Sequence, residues 1–267
     1  MSTIDELLPK EPVNILIEGD SGSGKTCLIG SLLRHDLEVA MIDADNGWSV
    51  LADPAIVPPD KRHLLSIVPL DANDGDSYDK VRKTLLNWPD NKWGPISTWP
   101  STRVLVIDSL SFLTFNALQY QLKKADISAE NYTSPKGLAT DDLISIFGGV
   151  AYMVRRLVYA CCRYPCSFIA TGHVRYWEKN GILQKAGFAT EGSRLMSELP
   201  KLFNNVWYLE AERDKRFLYT QTKAGSKIQC KSENGTIVAS KIENPDLGDI
   251  VTRLRTPQVE LPKETAA

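Results

Sequence analysis

Short apolar runs recur along the chain, and most are followed by a stretch with helical spacing. Val13-Asn14-Ile15-Leu16-Ile17, bounded by Pro12 and Gly19, has the length and β-branched content of a strand covered on both faces. Leu37–Ile42 and Leu64–Leu70 are two further runs, parted by the proline-rich stretch from Asp53-Pro54 to Pro58-Pro59-Asp60. Val104-Leu105-Val106-Ile107 is the most strand-like segment and ends on Asp108, and Ser167–Ala170 supplies a fifth run. Between these runs the spacing predicts helices over Lys25–Arg34, Ser77–Trp88, Leu110–Ala125 and Asp141–Tyr164. Strands that alternate with helices predict an α/β fold with a mainly parallel, doubly wound sheet.

Two connections lack periodicity: Pro89–Ser101, rich in proline and tryptophan, and the polar stretch Asp126–Ala139. Beyond residue 204 the rhythm changes. Asn205–Glu210, Arg216–Thr222 and Ser226–Lys231 read as short strands joined by short turns, hence as antiparallel strands added at the C-terminal side of the sheet. The expected organisation is an arm over residues 1–12, one domain over 13–243 and a polar tail over 244–267. Disorder is expected in the last few residues, Pro262–Ala267.

A chain of 267 residues with 43% hydrophobic content can bury one generous core. Its net charge of −2 and pI near 6.0 exclude a globally basic nucleic-acid protein, so any such contact must come from local patches. Cys27, Cys161, Cys162, Cys166 and Cys230 lack the paired C-x-x-C spacing of a zinc site and are expected to be reduced thiols. The first residues, MSTIDELLPKEP, hold no apolar h-region, and no run of about 18 uncharged apolar residues follows. A soluble, cytoplasmic protein without membrane association is expected.

Gly19-Asp20-Ser21-Gly22-Ser23-Gly24-Lys25-Thr26 follows a predicted strand and opens a predicted helix, which is the context of a phosphate-binding P-loop (Walker A). Glycines let the backbone N–H groups turn inward, and the helix N-terminus adds its positive end, so a triphosphate meets many donors at once. These residues, with Cys27 beside them, are expected to bind ATP. Lys25 should reach the β- and γ-phosphates, and Thr26 should ligate Mg²⁺.

Asp108, at the carboxyl edge of the sheet, suits a Walker B aspartate that holds the metal through water; as a helix N-cap it would also be at home. Met41-Ile42-Asp43-Ala44-Asp45-Asn46-Gly47 offers two more carboxylates, either as a catalytic pair or as a turn rich in Asp, Asn and Gly.

Taken together, these segments and I-A-T-G-H-V at the fifth strand resemble the RecA-like branch of P-loop ATPases, most of all the phage-encoded ATPases of the single-strand-annealing recombinase type. The resemblance implies a RecA-like P-loop NTPase core and ATP hydrolysis with Mg²⁺. It places activation of the attacking water on Asp45, where the family often has glutamate, and γ-phosphate sensing on His173. It also implies a homo-oligomer, ring or filament, in which a basic finger from a neighbour completes the site. Lys223 and Lys227 occupy the finger region, and Arg213, Lys215 and Arg216 compete for the role.

After His173 come Arg175, Tyr176, Trp177, Lys179 and Lys185. Cations interleaved with aromatics on a flexible loop suit single-stranded DNA, and an ordinary solvated loop with Trp177 folded back on the core is the alternative. The implied function is DNA-dependent ATP hydrolysis in phage recombination, annealing or replication, with a single-strand-binding protein as a possible partner. A nucleotide-gated scaffold without turnover and a small-molecule kinase are the alternatives; a kinase would want an arginine-rich lid, and no dense arginine cluster is present.

Overall fold

The computed structural model describes residues 12–71, 74–89, 93–127, 140–179, 182–233 and 238–255. Its strands are β1 (Asn14–Gly19), β2 (Val39–Asp43), β3 (Leu65–Pro69), β4 (Val104–Asp108), β5 (Ser167–Lys179), β6 (Ile182–Phe188), β7 (Asn205–Glu212), β8 (Lys215–Tyr219) and β9 (Lys241–Glu243). Its α-helices are α1 (Lys25–Arg34), α2 (Ser77–Leu86), α3 (Leu110–Lys124), α4 (Thr140–Cys161), α5 (Ser193–Leu202) and α6 (Leu247–Arg255). The sheet runs in the order β3-β2-β4-β5-β1-β7-β8-β9, with β6 paired to β5. From β3 to β7 in that order neighbouring strands are parallel, and β8 and β9 continue antiparallel. The fold is therefore α/β, with the mainly parallel sheet and the antiparallel C-terminal addition that the sequence pattern predicts.

Alternation along β1 shows why both faces need helices. Leu16 packs with Leu113, Val150 and Leu199 from α3, α4 and α5. Ile15 and Ile17 point the other way, to Leu28 and Leu32 of α1 and to Ile250 and Val251 of α6. α4 is long and apolar enough by composition to cross a membrane, with a mean hydropathy of 1.4 over Asp142–Cys161. Ile146, Val150, Val154, Leu157 and Val158 form its buried stripe against the core, while Arg155 and Arg156 are exposed.

Several local expectations fail. β7 pairs antiparallel with β8 as expected, but it also joins the core sheet by running parallel to β1, with Ile15 opposite Asn205, which was not expected. Ser226–Lys231 forms no strand and contributes only the bridge between Val206 and Lys231; β9 fills the edge instead. The stretch after His173, expected to be a flexible loop, continues β5 into an antiparallel hairpin with β6. Its pivot is Gly172, where a Cβ would lie 1.8 Å from the Phe188 ring, so only glycine lets the hairpin fold back onto β5. α5 and α6 were not expected; Leu195 and Leu199 bury one, and Leu247, Ile250 and Val251 the other. The tryptophan-rich connection covers the core: Trp88, Trp93 and Trp99 are 1%, 6% and 2% exposed, and the Arg103 guanidinium lies 4.7 Å from the Trp93 ring. Residues 1–11 of the expected arm and residues 256–267 of the expected tail lie outside the described residues.

Candidate nucleotide site

Residues 19–26 leave β1 and enter α1. Gly22 and Gly24 take φ of 76° and 94°, a left-handed conformation that glycine adopts without steric cost. The first turn of α1 has no acidic residue, so its positive end is open to an anion. Lys25 donates from Nζ to the carbonyls of Gly19 and Asp20, both at 2.9 Å, which keeps the ammonium inside the curl. Burial lowers its pKa, against the opposing pull of Asp108, Asp45 and Asp20. Ser23 is buried with its hydroxyl unpartnered among the described residues, whereas Asp20 and Ser21 are exposed. Cys27 is half-buried, and burial raises its thiol pKa while the charge of Arg216 lowers it.

Parallel register delivers the acidic groups. Asp43 at the end of β2 lies opposite Asp108 at the end of β4, and Gly19 of β1 lies opposite His173 of β5. Asp43, Asp45 and Asp108 each offer an oxygen within 4.8 Å of the others. Asp108 accepts from Thr26 Oγ1 at 2.6 Å and from the Thr171 hydroxyl. Burial and the charge of Asp45 raise its pKa, against those two hydrogen bonds and Lys25. The N-cap role that Asp108 could have filled belongs to Ser109, whose side chain accepts from Phe112 N at 3.5 Å.

Asp45 is held by His173, with Nε2 3.3 Å from Oδ2. Burial pushes the Asp45 pKa up, but His173 and Lys25 outweigh it and hold the carboxylate below its usual range. Asp43 behaves oppositely: burial lifts it from the usual 3.8 to about 6, although the Gly47 amide donates to Oδ1 at 3.1 Å. Asp43 Oδ2 and Asp45 Oδ1 are buried without a hydrogen-bond partner among the described residues. Two aspartates two residues apart thus differ sharply, because His173 and Lys25 offset the burial of Asp45 while no cation offsets that of Asp43.

The β5–β6 hairpin reaches back to the loop. The Tyr176 hydroxyl donates to the Asp20 carboxylate at 2.9 Å, and the Tyr208 hydroxyl reaches the same carboxylate at 3.4 Å. The Arg175 guanidinium lies 5.6 Å from the Trp177 ring. Lys179 and Lys185 lie on the hairpin strands, with Lys185 opposite Trp177; their side chains lie outside the described residues.

The finger candidates are elsewhere. Lys223 pairs with Glu210 at 3.0 Å and sits over the Tyr219 ring, and Lys227 lines a separate cavity. Arg216 instead approaches the glycine loop of its own chain: its Nε is 3.2 Å from where a Cβ on Gly24 would stand. Sequence reasoning assigned no role to Thr171, Tyr176 as a partner of Asp20, or Arg216 in its own chain. Thr171 lies within the quoted I-A-T-G-H-V segment, but the other two contacts join distant segments and have no local signal.

No family model matches the sequence, and no curated protein matches it. Among solved structures, the RadB recombinase aligns over 78% of this chain and 80% of its own, at 15% identity and a TM-score of 0.43. A prototypical ATPase from the type III secretion system of pathogenic bacteria aligns over 73% and 51%, at 14% and 0.40. The ATPase EscN of enteropathogenic E. coli, solved with its central stalk EscO, aligns over 74% and 42%, at 12% and 0.43. This chain spans about half the length of the two secretion ATPases. Likeness at this level is one of broad chain course, and residue roles do not transfer across it.

Proposed function

We propose that the chain is a RecA-like ATPase that binds ATP with Mg²⁺ and hydrolyses it on single-stranded DNA, in recombination or annealing of the phage type. The observation that carries this reading is the convergence of Lys25, Thr26, Asp45, Asp108 and His173 at the mouth of a curled glycine loop. The hard oxygen donors gathered there, with Asp43 Oδ2 unpartnered beside Asp108, fit Mg²⁺, and Thr26 and Asp108 are the residues that would hold it. An ion held there would supply charge neutralisation for the phosphate tail.

Loop amides and Lys25 orient the phosphate tail. Asp45, ionised at neutral pH and fixed by His173, takes the proton of the attacking water at Oδ1. The water oxygen bonds to the γ-phosphorus as the bond to the β-phosphate oxygen breaks, leaving ADP and phosphate. Cation and aromatic side chains on the β5–β6 hairpin suit a single strand, and the Tyr176 bond to Asp20 joins that hairpin to the loop. A neighbouring copy would supply Lys223 or Lys227, since neither touches the loop of its own chain. The setting that fits is a host cytoplasm, with a single-strand-binding protein as accessory.

Steady-state ATPase assays with and without single-stranded DNA test the reading. Turnover that rises with added strand is expected and is lost in Asp45→Asn. ATP binding without turnover under any condition would refute hydrolysis and leave a nucleotide-gated scaffold.

A further inference from the structure

Glu18, the residue before the P-loop, faces away from the triphosphate site. It is 3% exposed, and among the described residues it makes no hydrogen bond or ion pair. Leu16 on the same face packs into the core on the α3–α5 side, so the carboxyl of Glu18 emerges from that packed layer into a cavity of about 400 Å³. Phe188 of β6, Met196 of α5 and Val206 of β7 give the cavity apolar walls. Three exposed cations, Lys201, Lys227 and Lys231, also line it, and none makes an ion pair among the described residues.

Each element restricts the occupant. A cationic ligand would satisfy Glu18 but meet three lysines on its way in. A wholly apolar ligand would leave a buried carboxyl without a partner, at a cost comparable to a lost hydrogen bond. A small anion held by the lysines would leave the buried Glu18 carboxyl without a partner. What remains is a body with apolar faces, a hydrogen-bonding edge at its inner end and an anionic group at its outer end. We infer that the cavity binds a nucleotide, its base edge on Glu18 and its phosphate among Lys201, Lys227 and Lys231. Burial keeps the Glu18 carboxyl protonated up to a pKa of about 8, so near neutral pH it presents both a donor and an acceptor, as a base edge requires. This nucleotide is distinct from the ATP of the P-loop, and the inference does not depend on turnover.

The ligand has two possible sources, a free nucleoside monophosphate or one base of a single strand. Calorimetric titration of the full-length protein, with the P-loop saturated by a non-hydrolysable ATP analogue, separates them. The probes are the four deoxynucleoside monophosphates and the four homopolymer pentanucleotides. Saturable binding with a preference for one base is expected: monophosphates alone identify a free nucleotide, and tighter binding of the matching pentamer identifies a strand. Glu18→Gln, which retains a donor and an acceptor, should bind nearly as well as wild type. Glu18→Leu should lose about tenfold or more, the usual worth of a paired base contact. Met196→Trp, which fills the cavity, should lose binding while its melting temperature reports that it folds. Absence of saturable binding to every probe, or equal affinity in wild type and Glu18→Leu, overturns the inference. ATP turnover measured on the same variants keeps that outcome separate from failure of the ATPase reading.

Discussion

Glu18 also sets a stability prediction that needs no ligand. Burial lifts its pKa from the usual 4.5 to about 8, with no charge or hydrogen bond to offset it. Between those two values the unfolded chain has released its proton while the folded chain keeps it, so stability must fall as pH rises through that window. At ~1.4 kcal/mol per pH unit the loss grows to ~5 kcal/mol by pH 8 and then levels off. Asp43, raised to about 6, acts in the same direction below that pH, so wild type alone does not isolate Glu18. Glu18→Gln does, because glutamine fills the same space and carries no titrating proton. Urea unfolding of both proteins at pH 5, 6, 7, 8 and 9, followed by the fluorescence of the buried tryptophans, gives the difference in free energy at each pH. That difference should turn increasingly in favour of the variant, by ~4 kcal/mol between pH 5 and 8. Curves that stay parallel within ~1 kcal/mol, about the uncertainty of the extrapolation, would refute the reasoning and mean that the carboxyl finds a partner or water.

Three further outcomes are expected. Asp45→Asn should lower kcat by ~100-fold or more with little change in ATP affinity, and unchanged turnover would exclude Asp45 as the base. In His173→Ala the acidic limb of the pH–rate profile should move to higher pH, because the bond and charge that hold the Asp45 pKa down are gone; a limb that stays in place would sink that assignment. Gly172→Ala should cost ~1–3 kcal/mol by driving a methyl group into Phe188, read as a lower melting temperature, and an unshifted melt would contradict the tight fold-back of the hairpin.

Most of the strand–helix alternation is legible because buried parallel strands and amphipathic helices each carry their own period, as in Val104–Ile107 or the stripe of α4. The glycine loop is legible for a similar reason: its spacing, its lysine and its flanking elements all lie within a dozen residues of one another. The hairpin after His173 was missed because cations and aromatics on both strands hide the alternation that marks a half-buried strand. Trp88, Trp93 and Trp99 could be either a surface or a core by composition, and only their packing against one another, with Arg103 over Trp93 and Trp99, decides for the core.

By itself, then, the sequence determined the glycine loop between strand and helix, the parallel core and the aspartates at strand ends, because local spacing encodes each of them. Tertiary structure decided which of those aspartates meet. Strand register sets Asp43 beside Asp108, and β5, lying between β4 and β1, brings Thr171 to Asp108 and His173 to Asp45. It also decided that Glu18, one residue from the loop, turns its carboxyl into a separate cavity, since the face of a strand residue matters only once the sheet has neighbours on both sides.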